Sequence, residues 1–224
     1  MPELKECPSE RPWDNDEFTF DYIAQNIFSP IYPVIAEAIL KTCGRREGRM
    51  IDLGCGGGHL GFAVMERTGY QGVFVDINET ALRIAGKRAG ERGLSQRSEF
   101  LNRDVERTGL PDHYGDLIIS RGSYTFWNDL EKAILEIYRI LAPGGMTYIG
   151  GGMGNAELAE AIRPKMQAIW PDWPRRIMER SNQISNEMLS EMLDRHGISH
   201  EIIDNEDQWR WIIMRKYPSL NCPG

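Results

Sequence analysis

Two acidic residues and a glycine run form the part of this sequence best suited to chemistry. Asp52 lies in a short apolar run, glycines crowd residues 54–58 directly after it, and Asp76 ends the next apolar run. Turns without side chains let backbone amides approach a ligand, and the helix that follows presents its positive N-terminus. A carboxylate at the end of the second strand can bind the paired hydroxyls of a ribose. The pattern therefore predicts a site for a nucleoside-containing ligand.

Two cofactor classes fit this pattern. Residues 56–61 also match the G-x-G-x-x-G fingerprint of dinucleotide-binding proteins, with Asp76 at the expected distance. Asp52 favours a different ligand, because an acid in a buried strand just before the glycines would repel a pyrophosphate and attract an ammonium group. The sequence thus favours a cofactor with an amino-acid tail. A nicotinamide-dependent oxidoreductase remains an alternative, which NAD(H) binding would identify.

The elements that must position these residues alternate short apolar runs with amphipathic ones from about residue 49 onward. This alternation predicts the α/β class, a Rossmann-like, doubly wound, mostly parallel seven-stranded sheet. Only a short polar turn separates the last two strands, so the last strand is expected to be antiparallel. The predicted strands are residues 50–53, 72–76, 98–102, 116–120, 146–149, 201–203 and 209–214.

Capping residues set the limits of the predicted helices. Asn78 can cap a helix that Gly93 ends. Asn128 can cap the most regular helix of the chain, with Glu131 reaching back to the cap's amide in a capping box. The run Pro-Gly-Gly at residues 143–145 is expected to stop that helix. Further helices are predicted at residues 60–65, 156–169 and 186–196.

Four segments together resemble the class I S-adenosylmethionine-dependent methyltransferases. Residues 50–58 resemble the family's first motif, and Asp76 resembles its ribose-binding acid. Residues 102–105 resemble its adenine-contacting loop, and residues 140–146 resemble the turn entering its fifth strand. The likeness covers roughly residues 45–150. The Leu-x-Pro-Gly-Gly turn is similar to that of small-molecule methyltransferases related to the quinone-biosynthesis enzymes.

This resemblance implies a cofactor and a set of contacts for it. The cofactor would be S-adenosyl-L-methionine, the product S-adenosyl-L-homocysteine, and no metal is expected. Tyr22 belongs to an aromatic-rich segment, residues 18–35, where the family often places a helix that covers the cofactor. The other implied contacts are Gly54, Cys55, Gly56, Asp52 and the Ser120 backbone for the methionine part, Asp76 for ribose, and Ile77, Asp104 and Val105 for adenine. Asp104 has the alternative role of a loop-capping acid.

The methyl acceptor is expected beyond the carboxyl ends of strands four and five. Arg121 lies there among aromatic residues that include Tyr124 and Trp127, which favours an anionic or planar small molecule. The alternative is that Arg121 pairs with a local acid and that Phe126 and Trp127 pack the core. Gly152 lies in a second glycine run that either binds an acceptor anion through its amides or acts as a hinge. No catalytic residue is identified, and in-line methyl displacement can proceed by alignment alone.

Composition limits the other possible partners. With 26 Lys+Arg against 33 Asp+Glu the net charge is −7, which makes a broad nucleic-acid or membrane surface unlikely to form. An RNA methyltransferase remains an alternative because basic residues recur in one stretch. Several acidic residues in the same stretch reduce its net positive charge. A non-catalytic nucleotide-binding regulator is a third. The basic residues are Arg83, Lys87, Arg88, Arg92, Arg97, Arg103 and Arg107.

The remaining predictions concern organisation and compartment. Residues 1–48 are expected to form an N-terminal helical cover and residues 49–224 the methyltransferase core, with a helical lid-like insertion at about 155–196. No span or secretory signal is predicted, so the expected location is cytoplasmic. The cysteines lack metal-binding or pairing spacing and are expected to be reduced. The oligomeric state is not specified by composition.

Overall fold

The computed structural model of the protein describes residues 20–205 and 209–218. The predictions for residues 1–19, and those for Cys7 and Cys222, lie outside the described residues. The strands are β1 Arg49–Leu53, β2 Gln71–Asp76, β3 Ser98–Asn102, β4 Gly115–Arg121, β5 Leu141–Gly151, β6 Ser199–Asn205 and β7 Trp209–Arg215. The helices are α1 Phe20–Asn26, α2 Ile31–Cys43, α3 His59–Met65, α4 Glu79–Glu91, α5 Leu130–Ile140, α6 Ala156–Ile169, α7 Arg175–Asn182 and α8 Asn186–Arg195.

The seven strands form one sheet in the order β3-β2-β1-β4-β5-β7-β6. The first five strands pair in parallel, and β7 runs antiparallel to both β5 and β6. The predicted α/β, Rossmann-like sheet with an antiparallel last strand is therefore confirmed. The strand order reverses between β1 and β4, and ligands bind at such a switch point in open sheets of this kind.

Helices cover both faces of the sheet, and each face has its own apolar cluster. Along β4, Leu117 and Ile119 belong to one cluster and Ile118 to the other, because successive side chains in a strand point to opposite faces. All three are fully buried. The first cluster takes its helical residues from α1, α2, α3, α4 and α6, and the second from α5 and α8.

The start of α5 differs from the prediction. Asp129, not Asn128, is the N-cap, and its side chain accepts the Lys132 amide at 3.0 Å. Glu106, from the segment after β3, accepts the amide of this cap residue at 2.9 Å. The prediction assigns that acceptor role to Glu131. Aspartate caps as well as asparagine does, so the tertiary contact from Glu106 selects between the two neighbouring residues.

Two other elements also depart from the prediction. Helix α5 ends at Ile140, and β5 begins at once, so the Pro-Gly-Gly run at 143–145 lies inside a longer β5 instead of stopping the helix. Leu141 pairs with Gly115 of β4, which draws the chain straight into the sheet. Helix α7 was not predicted, because its polar residues show no apolar periodicity over enough turns.

Among the described residues, no single helix is long and apolar enough to cross a membrane. Helices α1 and α2 satisfy the length and composition test only as a pair, and that pair is bent by 82°.

Candidate functional site

The glycine loop after β1 is held in place by Asp76. The Asp76 carboxylate accepts the Gly56 amide at 2.7 Å and the Asn78 amide at 2.8 Å, so it ties the loop to the start of α4. Gly54 has a φ of 62°, and a Cβ there would lie 2.5 Å from the Ser123 Cβ. Only glycine fits that position without strain. The predicted first motif and the acid of the second strand therefore form one unit.

Asp52 lies beneath this loop and is almost completely buried, at 2 % exposure. Its carboxylate accepts the Gly61 amide at 3.1 Å. Burial raises the pKa of Asp52 to about 8; the Gly61 bond opposes this change and the charge of Asp76 adds to it. Asp52 is therefore neutral at pH 7 unless a cation lies beside it, and an ammonium group would restore its charge.

Cys55 contributes size, not reactivity. Burial raises the pKa of its thiol, and the charges of Asp52 and Asp76 raise it further. A thiolate is the nucleophilic form of cysteine, so this residue is inert at neutral pH. Cys43 and Cys55 are both free thiols. The described part of the chain contains no group of three or more His, Cys, Asp or Glu side chains that could hold a metal ion.

A small cavity of about 40 Å³ lies between the glycine loop and the N-terminal helices. It is little larger than the volume of one water molecule in the liquid, about 30 Å³, so α1 and α2 lie close over the loop. The cavity brings four predicted cofactor residues together with one predicted acceptor residue. The lining residues are Asp52 of β1, Gly54, Cys55, Gly56 and Gly57 of the glycine loop, His59 and Leu60 of α3, Phe20 of α1, Tyr32 of α2 and Arg121 of β4.

An ion cluster that the sequence analysis missed fastens α1 over the loop. Asp21 of α1 lies 2.9 Å from His59 Nε2 and 2.9 Å from Arg88 Nη2, and Arg88 also donates to the Gly57 carbonyl. Burial opposes ionisation of Asp21, but the hydrogen bonds from His59 and Arg88 outweigh it and lower its pKa to about 2. Burial lowers the pKa of His59. No local pattern in the sequence marks this cluster, because its members lie far apart along the chain.

The aromatic segment at residues 18–35 contributes Phe20 and Tyr32 to the lining of the cavity. Tyr32 is buried, whereas Phe20 and the predicted contact Tyr22 are 47 % and 45 % exposed. The Tyr32 ring stacks on His59 with 5.1 Å between centroids. Burial raises the pKa of Tyr32 to about 12, so its hydroxyl stays protonated. Helical spacing alone could not tell which of the aromatic residues faces the loop.

The predicted adenine contacts lie beyond the ends of β2 and β3. Ile77 is 74 % exposed, an unusual position for a large apolar side chain, while Val105 is buried. The Asn102 side chain donates to the Ile77 carbonyl at 2.9 Å and holds the two segments together. Asp104 is exposed, and its carboxylate accepts the Glu106 amide at 2.9 Å, as a loop-capping acid would. The exposed Ile77 side chain therefore directly follows Asp76 in the chain, and the predicted partner Val105 is buried.

Two of the residues predicted to face the acceptor, Tyr124 and Trp127, pack against the apolar core. Tyr124 is buried, bonds Ser181 of α7 at 2.9 Å and meets the Trp127 ring edge to face, so both rings belong to the second apolar cluster. Ser120 is also buried, and its hydroxyl lies 2.5 Å from that of Ser123. The packing of Trp127 agrees with the alternative in which aromatic residues after β4 belong to the core.

The second glycine run presents a carbonyl to Arg121. Arg121 Nε donates to the Gly152 carbonyl at 3.1 Å, and the Gly122 amide donates to the Gly150 carbonyl at 2.6 Å. Asn155 caps α6 by accepting the Leu158 amide at 2.8 Å. The contact of the second glycine run with Arg121 is therefore made through the Gly152 carbonyl.

Comparisons with known proteins agree with this architecture. A family model described as a methyltransferase domain matches residues 51–149. A solved structure from Methanococcus maripaludis, assigned to the S-adenosyl-L-methionine-dependent methyltransferases, is 39 % identical, with a TM-score of 0.84 over 90 % of this chain and 92 % of that one. The chain is also similar to the ubiquinone/menaquinone biosynthesis C-methyltransferase UbiE of Francisella philomiragia, 26 % identical over 61 % of this chain and 53 % of that protein. It is 36 % identical to the uncharacterized methyltransferase YdaC of Bacillus subtilis, over 34 % of this chain and 39 % of that one.

A Rossmann-like sheet with a glycine loop and a carboxylate at the ends of neighbouring strands is the arrangement of the doubly wound, nucleotide-binding class. The chain belongs to the class I S-adenosylmethionine-dependent methyltransferase family, as the resemblance of its motifs predicts. It spans about half or less of the length of the two curated relatives above.

Proposed function

We propose that this protein transfers the methyl group of S-adenosyl-L-methionine to a small-molecule acceptor. The observation that carries the proposal is the pairing of Asp76 with the Gly56 amide, which sets a carboxylate beside a glycine loop and the exposed Ile77. In this assignment Asp76 binds the ribose hydroxyls and Ile77 lies against adenine. Asp52 lies under the loop, where it would meet the amino group of the methionine tail.

The bound cofactor would supply a methyl group on a positively charged sulfur, and this sulfur would take the electron pair of the carbon–sulfur bond as the acceptor atom bonds the methyl carbon. The chain's own residues contribute alignment and the exclusion of water. Phe20 and the buried Tyr32 line the cavity beside the loop. No side chain is assigned as a general base.

The distribution of basic residues supports a small molecule over RNA. Arg88 pairs with Asp21 and Arg92 with Glu66. Arg97 donates to the carbonyls of Thr68 and Tyr70. Three members of the predicted basic stretch are therefore engaged within the protein and do not form a free stripe for phosphates.

The experiment is transfer of a labelled methyl group from S-adenosyl-L-methionine into a cell extract separated into metabolites, RNA and protein. We expect label among the metabolites with the intact protein, its loss with Asp76→Ala, and its retention with Glu79→Ala, an exposed acid nearby on α4. Nuclease-sensitive label would replace the proposal with the RNA alternative. Cofactor binding without any label would favour the regulator.

A further inference from the structure

Arg121 is a cation held at the site, and none of the described acidic residues balances it. It ends β4, is largely buried, and lines the cavity beside the glycine loop. Its Nε donates to the Gly152 carbonyl, and its Nη2 lies 3.9 Å from the Met153 sulfur. Within residues 20–205 and 209–218, no carboxylate lies within ion-pair distance of it.

Aromatic rings supply the remaining contacts of the guanidinium. Its central carbon lies 5.1 Å from the centre of the Phe28 ring and 5.5 Å from that of Tyr32. Rings attract a cation through their faces, but this attraction is weaker than a hydrogen-bonded counter-ion. Arginine stays charged inside proteins, so an anion entering this place would relieve the cost of burying the charge.

The position of Arg121 in the sheet separates it from the proposed ribose and adenine contacts, although it lines the same cavity as the glycine loop. Asp76 and Ile77 follow β2, and the glycine loop follows β1, whereas Arg121 ends β4 and is bonded to the segment that follows β5. The bond to Gly152 holds the guanidinium over β4 and β5, which is the half of the sheet where the acceptor is expected.

We propose that Arg121 binds a carboxylate or phosphate of the methyl acceptor, so that the acceptor is an anionic small molecule. The inference rests on the proposed methyl-transfer function and adds its substrate class. Arg121 acts as a specificity residue: its planar fork can hold two oxygens of the anion, and the rings of Phe28 and Tyr32 hold the fork in place.

The test is isothermal titration of the protein loaded with S-adenosyl-L-homocysteine. Benzoate and phenyl phosphate are the anionic probes, and benzyl alcohol is the neutral probe of similar size. For the wild type we expect at least one anion to bind about tenfold or more tightly than the alcohol. Arg121→Gln should remove that difference, Arg121→Lys should keep part of it, and affinity for S-adenosyl-L-homocysteine should stay within about threefold in both. Arg83→Gln, on the exposed side of α4, is the matched control and should change nothing.

Three results would overturn the inference. The first is that Arg121→Gln weakens cofactor binding as much as anion binding, because that result would assign the guanidinium to the methionine carboxylate. Equal or absent binding of anionic and neutral probes would remove the specificity role. Anion binding only to the unloaded protein would place the anion in the cofactor's own space. A wild type that does not bind S-adenosyl-L-homocysteine would contradict the proposed function. In that case, anion titrations of the unloaded wild type and of Arg121→Gln would still show whether Arg121 binds an anion.

Discussion

Asp52 and Asp76 are the same residue type at the ends of adjacent strands, yet their surroundings give them different properties. Asp76 is partly exposed and accepts two backbone amides. Asp52 is buried with one amide, and its pKa is raised to about 8. A buried carboxyl with a raised pKa is neutral at pH 7 and becomes charged when a cation binds beside it. Binding of a cation beside Asp52 should therefore release a proton.

We predict that cofactor binding releases a proton from Asp52. At pH 7 the unliganded carboxyl is mostly protonated, and an ammonium group beside it would lower its pKa, releasing up to about one proton. Titration of S-adenosyl-L-homocysteine in phosphate and in Tris should therefore give binding enthalpies that differ with the ionisation enthalpy of the buffer. Asp52→Asn should bind more weakly and lose this difference.

The same raised pKa sets the sign of a stability effect in the unliganded protein. The contribution of Asp52 to the free energy of unfolding is fully present below its usual pKa of 3.8 and is lost as the pH rises through about 8. Glu79→Gln, at an exposed carboxylate of α4, is the control for the proton measurement. A wild-type binding enthalpy that is independent of the buffer would contradict the assignment of Asp52.

At the scale of elements, the start of α5 shows how a tertiary contact selects between two equivalent local signals. Asn128 and Asp129 are both good N-caps and are neighbours in the chain. Glu106 accepts the Asp129 amide, and its other oxygen lies 3.5 Å from Lys132 Nζ. The segment after β3 therefore decides where the helix begins.

We predict that Asp129→Ala lowers the free energy of unfolding by about 1 kcal/mol, because the Lys132 amide loses its acceptor. Asn128→Ala is the matched control at the neighbouring position and should change it by less than about 0.5 kcal/mol. Urea denaturation of the three proteins measures both values. A larger loss for Asn128→Ala would mean that the helix begins one residue earlier.

At the scale of the whole molecule, the N-terminal helices share the apolar core of the sheet. Ile23 and Ile39 lie in the same buried cluster as Leu117 of β4. The Asp21–Arg88 ion pair adds a polar link between α1 and α4, with side-chain exposures of 22 % and 10 %. The cover over the glycine loop is therefore part of the folded core and of its stability.

We predict that Asp21→Asn destabilises the protein by about 3 kcal/mol at pH 7, because it leaves the buried Arg88 without its counter-ion. The Asp21 pKa is lowered, so its contribution is present above 3.8 and is lost as the pH falls through about 2. The difference between the two proteins should therefore shrink in acid. Chemical denaturation at pH 7 and in the pH 2–4 range measures it.

Glu66→Gln provides the control for this prediction. Glu66 pairs with Arg92 at side-chain exposures of 40 % and 31 %, and an exposed pair of this kind contributes less than about 1 kcal/mol. Equal losses from Asp21→Asn and Glu66→Gln would show that the Asp21 cluster does not stabilise the fold.

Local chemistry in the sequence was sufficient to predict the sheet and the first half of the site. Buried parallel strands are short apolar runs, and the tight turn after β1 needs glycine at Gly54, so both leave marks on neighbouring residues. The motif from Asp52 to Gly58 and the acid Asp76 could be assigned for the same reason. Family membership followed from the order of these local signals.

The tertiary structure decided which distant residues meet. It placed Tyr32 and Phe20 at the cavity beside the glycine loop, brought Asp21 to Arg88, and placed Arg121 against the Gly152 carbonyl without an acid partner among the described residues. Such contacts join residues that are far apart in the chain and depend on how whole helices and strands pack. They leave no periodicity or spacing in the sequence, because their energy arises only when the elements are already in place.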